Sequence, residues 1–522
     1  MKPAPQMIIY NGLIRTMNDM NPVAEAVGIR EGKITFAGSN SILNFRDKNT
    51  QLYDLDGKVL LPGFIDSHQH LIPTGLSQSG LNFSGQWALD DILFTIKKKT
   101  EKRPEGSWIS GYFLHEMNIK EKRLPLLEEL NETAPDHPII LFHVSGHVCV
   151  VNTRMFNILG FPLDLPGICR KKGKFTGKIE NPGIINVEKK LGELISDEDR
   201  RSAIFNAASA ALKSGITTLH CLEGGELGGK DDARFILQYQ NDLPVRTIIY
   251  NQTLDIKEVQ ALKLSRIGGC ILVDGAIENH TAALFDPYCD EPENHGMLNY
   301  SDKQMADFIL NAHRSGLQIA LHAIGDRAIE QILSAFESTL KLFPRKDHRH
   351  RIEHLELPCP DQLERLARAG IAVTVQPMFI PVCAGGSDLG FFKVLLGNDR
   401  IKRFHPYRQL LDLGILVAGG SDSPVTPYSP LESIMWATWH PVKDNRISIE
   451  EGFRLFTINA AKIGFEENKK GSIEPGKFAD FVILSEDPWT VRKKDFSNIK
   501  VEAAIIGGKI VYQRQQSTVS QK

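Results

Sequence analysis

No stretch of this 522-residue chain approaches the ~18 apolar residues that a membrane-spanning helix requires. Its start, Met1-Lys2-Pro3-Ala4-Pro5-Gln6, runs into a short strand-like segment and not into the apolar core of a signal peptide. Charge of one sign is missing too: 61 Lys and Arg stand against 63 Asp and Glu, a net charge of −2. That balance argues against nucleic acid as a main partner. The seven cysteines are scattered and include no Cys-X-X-Cys pair. Reduced thiols and a cytoplasmic location are therefore expected, not a disulfide framework. Internal repeats and low-complexity tracts are absent, and the polar tail, 515–522, is expected to fray. What remains is an ordinary globular composition, 42% hydrophobic and 24% charged. The length exceeds what one hydrophobic core supports, so two or three domains are expected.

Both ends of the chain read as short strands. Turns at Asn11-Gly12 and Glu31-Gly32 near the start, and Gly507-Gly508 near the end, have the spacing of a small β-sandwich. Neither end folds alone, because isolated hairpins are marginal in water. The economical reading is one domain assembled from 1–58 and 466–522. The middle alternates apolar strands with helical stretches, with strands expected at 59–65, 216–219, 245–250, 270–273, 318–321, 351–354, 371–375 and 415–418. Eight such units predict an α/β fold, a closed (β/α)8 TIM-type barrel spanning 59–75 and 201–465. The interval between the first two strands is too long for one connection. Residues 76–200, with their own strand at 139–144, read as an inserted subdomain over the barrel mouth.

The candidate chemistry sits at predicted strand ends. His68 and His70 close the first apolar run, and residues i and i+2 of a strand share a face. His322 follows the fifth strand, His354 ends the sixth and Asp422 follows the eighth. Cys270 and Asp274 lie on the fourth. A single buried histidine is more often structural than a ligand. Metal-ligand residue types at the ends of strands one, five, six and eight together point to a metal centre at the C-terminal face of the barrel.

The order His-X-His, His, His, Asp resembles that of the amidohydrolase superfamily. Asn459-Ala460-Ala461, and then Gly471-Ser472-Ile473-Glu474-Pro475-Gly476-Lys477-Phe478-Ala479-Asp480-Phe481, resemble that family's return into its small β-domain. His322-Ala323-Ile324-Gly325-Asp326-Arg327-Ala328, and Asp274-Gly275 with Thr281-Ala282, resemble the YtcJ-like branch. That branch includes the N-substituted formamide deformylases and carries a long insertion after its first strand. The resemblance covers essentially the whole chain. It implies that His68, His70 and Asp422 hold one divalent metal ion, expected to be zinc, and that His322 and His354 hold a second. It further implies hydrolysis of a C–N amide bond in a small N-acyl or N-formyl compound by metal-activated hydroxide. Asp422 would serve as general base and then as general acid toward the leaving amine.

Two departures stand out. Many relatives carry a carboxylated lysine on the fourth strand where this chain has Cys270. A thiolate there would bridge two zinc ions; otherwise Cys270 is a small apolar strand residue and the site holds one metal. Relatives also commonly have Leu-Gly-Ser-Arg where this chain has Ile277-Glu278-Asn279-His280. His280 is a weaker anion clamp than a guanidinium, which removes the presumption of an acidic substrate. His280, Asp274 and His147, the last within His143-Val144-Ser145-Gly146-His147, are the candidate substrate contacts. Asp326 is either a partner that orients His322 or the cap of the following helix. Trp87, Trp108 and Phe113 form either an apolar wall above the barrel or ordinary core. Two alternatives stand beside the hydrolase reading. One is a one-metal deaminase, disfavoured by the missing glutamate after His322; the other is a non-catalytic metal-binding scaffold. A homodimer that engages no membrane is expected.

Overall fold

The computed structural model describes residues 4–225 and 228–515; the tail expected to fray lies, from 516 onward, outside them. Eight parallel strands run in sequence order around a barrel: β1 (Phe64–Gln69), β2 (Ile216–Glu223), β3 (Arg246–Asn251), β4 (Arg266–Leu272), β5 (Gln318–Ala323), β6 (Arg351–His354), β7 (Ala372–Val375) and β8 (Val417–Gly419). They are buried on both faces, which is why they read as near-continuous apolar runs. The ring closes just beyond β8. The Asp422 amide donates to the His68 carbonyl at 2.7 Å, and the His70 amide donates to that of Ser423 at 2.9 Å. Gly420 permits this approach, since a Cβ there would lie 2.6 Å from the Cβ of His68.

The expected first strand, 59–65, is in fact two strands belonging to two sheets. Val59–Pro62 pairs with Leu13–Arg15 and Phe481–Leu484, away from the barrel, and β1 begins at Phe64. Gly63 is the crossing point; a Cβ there would meet the Thr217 side chain at 2.3 Å. One unbroken apolar run conceals the change, because a strand buried on both faces carries no alternation.

Val59–Pro62 belongs to a six-stranded sheet that faces a four-stranded one built from Lys33–Gly38, Ala26–Arg30, Met7–Tyr10 and Gln51–Asp54. Ile9, Val27 and Leu60 from the start of the chain share one core with Phe481 and Ile505 from its end. Between β1 and β2 a six-stranded mixed sheet, from Leu81–Asn82 to Lys174–Glu180, carries its own core around Phe83, Ile92 and Leu141. The helix Asp197–Lys213 that leads back into the barrel packs on Leu71–Ser79 so closely that a Cβ on Gly75 would lie 1.9 Å from the Ala203 carbonyl. Among the described residues, no helix is long and apolar enough to cross a membrane.

Candidate active site

The C-terminal ends of β1, β4, β5 and β6 and the segment after β8 converge on two donor sets that share one atom, the Cys270 sulfur. His68, His70, Cys270 and Asp422 form the first set, and Cys270, His322 and His354 the second. Within each set the ligand atoms lie within 4.8 Å of one another, and all six residues are buried. His68 Nε2 lies 3.1 Å from Asp422 Oδ1 and 3.1 Å from Cys270 Sγ. His70 Nε2 lies 3.0 Å from Asp422 Oδ1, and His354 Nε2 lies 3.9 Å from Cys270 Sγ.

Local sequence explains how each side chain arrives there. His68 and His70 share the inward face of β1 and the step beyond it, as their spacing requires. Cys270 follows Gly268 and Gly269, whose φ values of 90° and 117° suit glycine alone. A Cβ on Gly268 would lie 2.0 Å from the Ala320 carbonyl. The β4–β5 register shifts between Gly268 and Leu272, a bulge that re-aims the thiol. At the end of β6, Glu353 and His354 are neighbours and should point to opposite faces. Both reach the centre, because His354 has φ 74° and breaks the alternation. Asp422 also has positive φ, 55°. Strained backbone at two ligand positions marks a functional site.

Hydrogen bonding fixes which nitrogen of each imidazole faces inward. A carbonyl or carboxylate only accepts, so the ring nitrogen facing one carries the proton. His70 Nδ1 donates to the Leu222 carbonyl at 2.8 Å and His68 Nδ1 to Glu353 Oε2 at 2.6 Å. His354 Nδ1 donates to Gln376 Oε1 at 2.8 Å, and His322 Nε2 to the Gly275 carbonyl at 3.2 Å. The outer nitrogens of all four rings are thereby committed, and the inner nitrogens of His68, His70 and His354 converge on the Cys270 sulfur and the Asp422 carboxylate. His322 Nδ1 is buried and has no hydrogen-bond partner. A buried carboxylate and thiol ringed by imidazoles form a place that a cation can take from the protons, and orienting partners of this kind are the usual surroundings of metal-ligating histidines. The residues fit a divalent cation, and the mixed imidazole, thiolate and carboxylate set suits zinc chemistry.

Electrostatics points the same way. Burial alone pushes the Cys270 thiol up, but the imidazoles of His68, His322 and His354 outweigh it and hold the group well below its ordinary value. Burial opposes ionisation of Asp422 as well, and His68 and His70 bring it well below the usual carboxylate range.

Among the residues named from sequence, His147 lines the cavity above this centre. Its Nδ1 accepts from the Asn181 amide at 2.7 Å, and burial, with His322 nearby, holds the imidazole down at about 4. Trp108 and Phe113 line the cavity, whereas Trp87 packs edge-on against Phe83 inside the insert. Three candidates are placed elsewhere. His280 faces Asp290 at 2.9 Å and lies tilted against the Tyr288 ring, outside the cavity wall. Asp274 accepts from the amides of Ala283, Ile324 and Gly325 and lies 3.4 Å from His322 Nε2, so it supports a ligand and does not reach the cavity. Asp326 does not orient His322. Its carboxylate accepts from the Phe285 amide and meets Arg403, because the first turn of helix Asp326–Leu342 turns it away.

Sequence reasoning missed the residues that hold the ligands: Glu353, Gln376 and the buried Arg351, which pairs with Glu353 at 2.5 Å. A signal was present, since Arg-Ile-Glu places two charges on one face of a buried strand. It also missed Glu188, Glu278 and Glu356, which line the cavity.

The amidohydrolase family profile matches residues 51–512. Across 97% of its length, the chain is 31% identical to Protein LONG AFTER FAR-RED 3 of Arabidopsis thaliana, covering 91% of that protein. It is 26% identical to an N-substituted formamide deformylase of Arthrobacter pascens, over 98% of this chain and 99% of that one. A crystal structure of an uncharacterized metal-dependent hydrolase from Pyrococcus horikoshii superposes with a TM-score of 0.76 at 25% identity, covering 94% of this chain and 99% of that one. With the barrel, the two donor sets and a family match spanning most of its length, the chain belongs to the amidohydrolase family of metal-dependent hydrolases.

Proposed function

We propose that the protein hydrolyses a C–N amide bond in a small N-acyl or N-formyl compound. The observation that carries this reading is the position of Asp422, whose carboxylate lies within 3.1 Å of two ligand imidazoles on the cavity wall. The cavity holds about 280 Å³, which suits a small molecule.

His68, His70, Cys270 and Asp422 would hold one divalent ion and His322 and His354, with the shared sulfur, a second. Bound there, the metal supplies Lewis acidity, making the attacking water more acidic and drawing charge from the scissile carbonyl. Asp422 takes one proton from the water as it attacks the carbonyl carbon. The same carboxyl then delivers that proton to the departing nitrogen, so that the C–N bond breaks to a carboxylic acid and an amine. His147 is set up as a neutral donor. Its Nδ1 is taken by Asn181, which leaves Nε2–H for the oxygen that gains charge as the carbonyl is attacked.

Two variants test this reading against a panel of N-formyl and N-acyl amines. Asp422→Asn is expected to fold and to lose ~10²- to 10⁴-fold in kcat. His147→Ala is expected to lose ~10²-fold in kcat with little change in the pH profile. Turnover unchanged in Asp422→Asn contradicts the mechanism.

A further inference from the structure

The cavity wall holds five carboxylates that the proposed chemistry does not use; Asp199 accepts from the Ser196 hydroxyl at 2.7 Å and Asp232 pairs with Arg200, which leaves three. Glu356 follows β6 by two residues, Glu278 lies in the turn Ile277–Asn279 after β4, and Glu188 lies on the insert helix Gly183–Leu194. Three separate elements thus bring carboxyl groups to one space. Among the described residues none of the three is in an ion pair, whereas Asp232, also on the wall, is matched by Arg200 at 3.1 Å. Glu356 is 2% exposed, and its Oε2 is buried with no hydrogen-bond partner. The two cations on the wall, Lys99 and Arg103, come from the far edge of the insert, and Arg103 is exposed to solvent.

A buried carboxylate without a counter-ion is costly, and the cost is relieved when a ligand supplies the cation. We infer that Glu188, Glu278 and Glu356 form an anionic subsite selecting amides that carry a second, positively charged group, an ammonium or a guanidinium. This deepens the hydrolase reading and rests on it only for the word amide; the subsite is a statement about binding. Burial pushes the Glu188 carboxyl up to about 8, and it raises Glu278 too. A bound cation would draw both back down. Planar guanidinium, with its fork of donors, suits convergent carboxylates best.

The test compares isosteric probes that are not amine ligands for a metal: pentylguanidinium and the neutral pentylurea. Their dissociation constants are measured by calorimetry on the metal-loaded enzyme, without reference to turnover. The guanidinium is expected to bind at least tenfold tighter. In the Glu188→Gln/Glu278→Gln double variant that preference is expected to fall to about twofold or less, and raising salt is expected to erode it in the wild type. Equal binding of the two probes to the wild type, or tighter binding of the urea, overturns the subsite. So does a preference that survives in the double variant. If the double variant does not fold, the wild-type ratio and its salt dependence still decide. An enzyme that cleaves no amide but keeps the preference refutes the hydrolase reading and leaves the subsite standing.

Discussion

Glu353 is wholly buried between the Arg351 guanidinium and the His68 imidazole, and both contacts depend on its charge. Glu353→Gln leaves Arg351 as an unmatched buried cation, and the expected loss of stability is ~3 kcal/mol in urea unfolding. The same change gives His68 Nδ1–H a neutral acceptor in place of a charged one, and metal affinity measured by chelator competition is expected to fall ~10- to 100-fold. Metal affinity equal to that of the wild type would remove Glu353 from the account. The convergence of His68, His70, His322, His354 and Asp422 was legible because strand ends and residue chemistry name them together. Their supports were not, because a buried glutamate or glutamine inside a strand gains its meaning only from the neighbour across the barrel. Asp326 misled for the complementary reason: adjacency in sequence to His322 says nothing of direction once a helix begins.

At the scale of elements, the glycines decide where chemistry is delivered. Gly268 and Gly269 let β4 bulge and bring Cys270 inward. Gly268→Ala puts a Cβ against the Ala320 carbonyl at a φ that alanine resists. The expected outcome is a lower melting temperature together with reduced metal content, read by calorimetry and elemental analysis. A variant that melts earlier but keeps its metal would show that the bulge serves folding alone. The barrel strands could be read from sequence because buried parallel strands are apolar runs of characteristic length. The division at Gly63 could not, since both sides of it are equally apolar and only pairing partners distinguish them. In the insert's mixed sheet only Ile139–His143 was read from the sequence; Val148–Val151, equally apolar but four residues long, was missed, and Lys174–Glu180 is half polar.

At the scale of the molecule, the two ends of the chain are tied back to the barrel. Arg246 on β3 makes a bidentate pair with the buried Asp480 at 2.6 and 2.9 Å and stacks over Phe478 at 4.0 Å. The whole is also sensitive to acid. His220, His348, His350, His405 and His440 lie outside the ligand sets, and burial holds each below its ordinary value. Each stays neutral when folded and takes up a proton near pH 6.5 when unfolded, so unfolding binds protons and stability falls as the pH drops below ~6.5. His440, held at about 4, contributes on the order of 3 kcal/mol that is present above pH 6.5 and lost by pH 4. The urea midpoint is expected to fall from pH 7 to pH 5, and to fall less steeply in His440→Asn. Identical slopes would contradict this assignment.

The central claim is that two donor sets share the sulfur of Cys270. The most direct test is the metal content of wild type and Cys270→Ser, purified together and measured by plasma mass spectrometry. About two divalent ions per chain in the wild type, falling to one or fewer in the variant, is the expected result. The same content in both proteins would contradict the claim and reduce Cys270 to a packing residue.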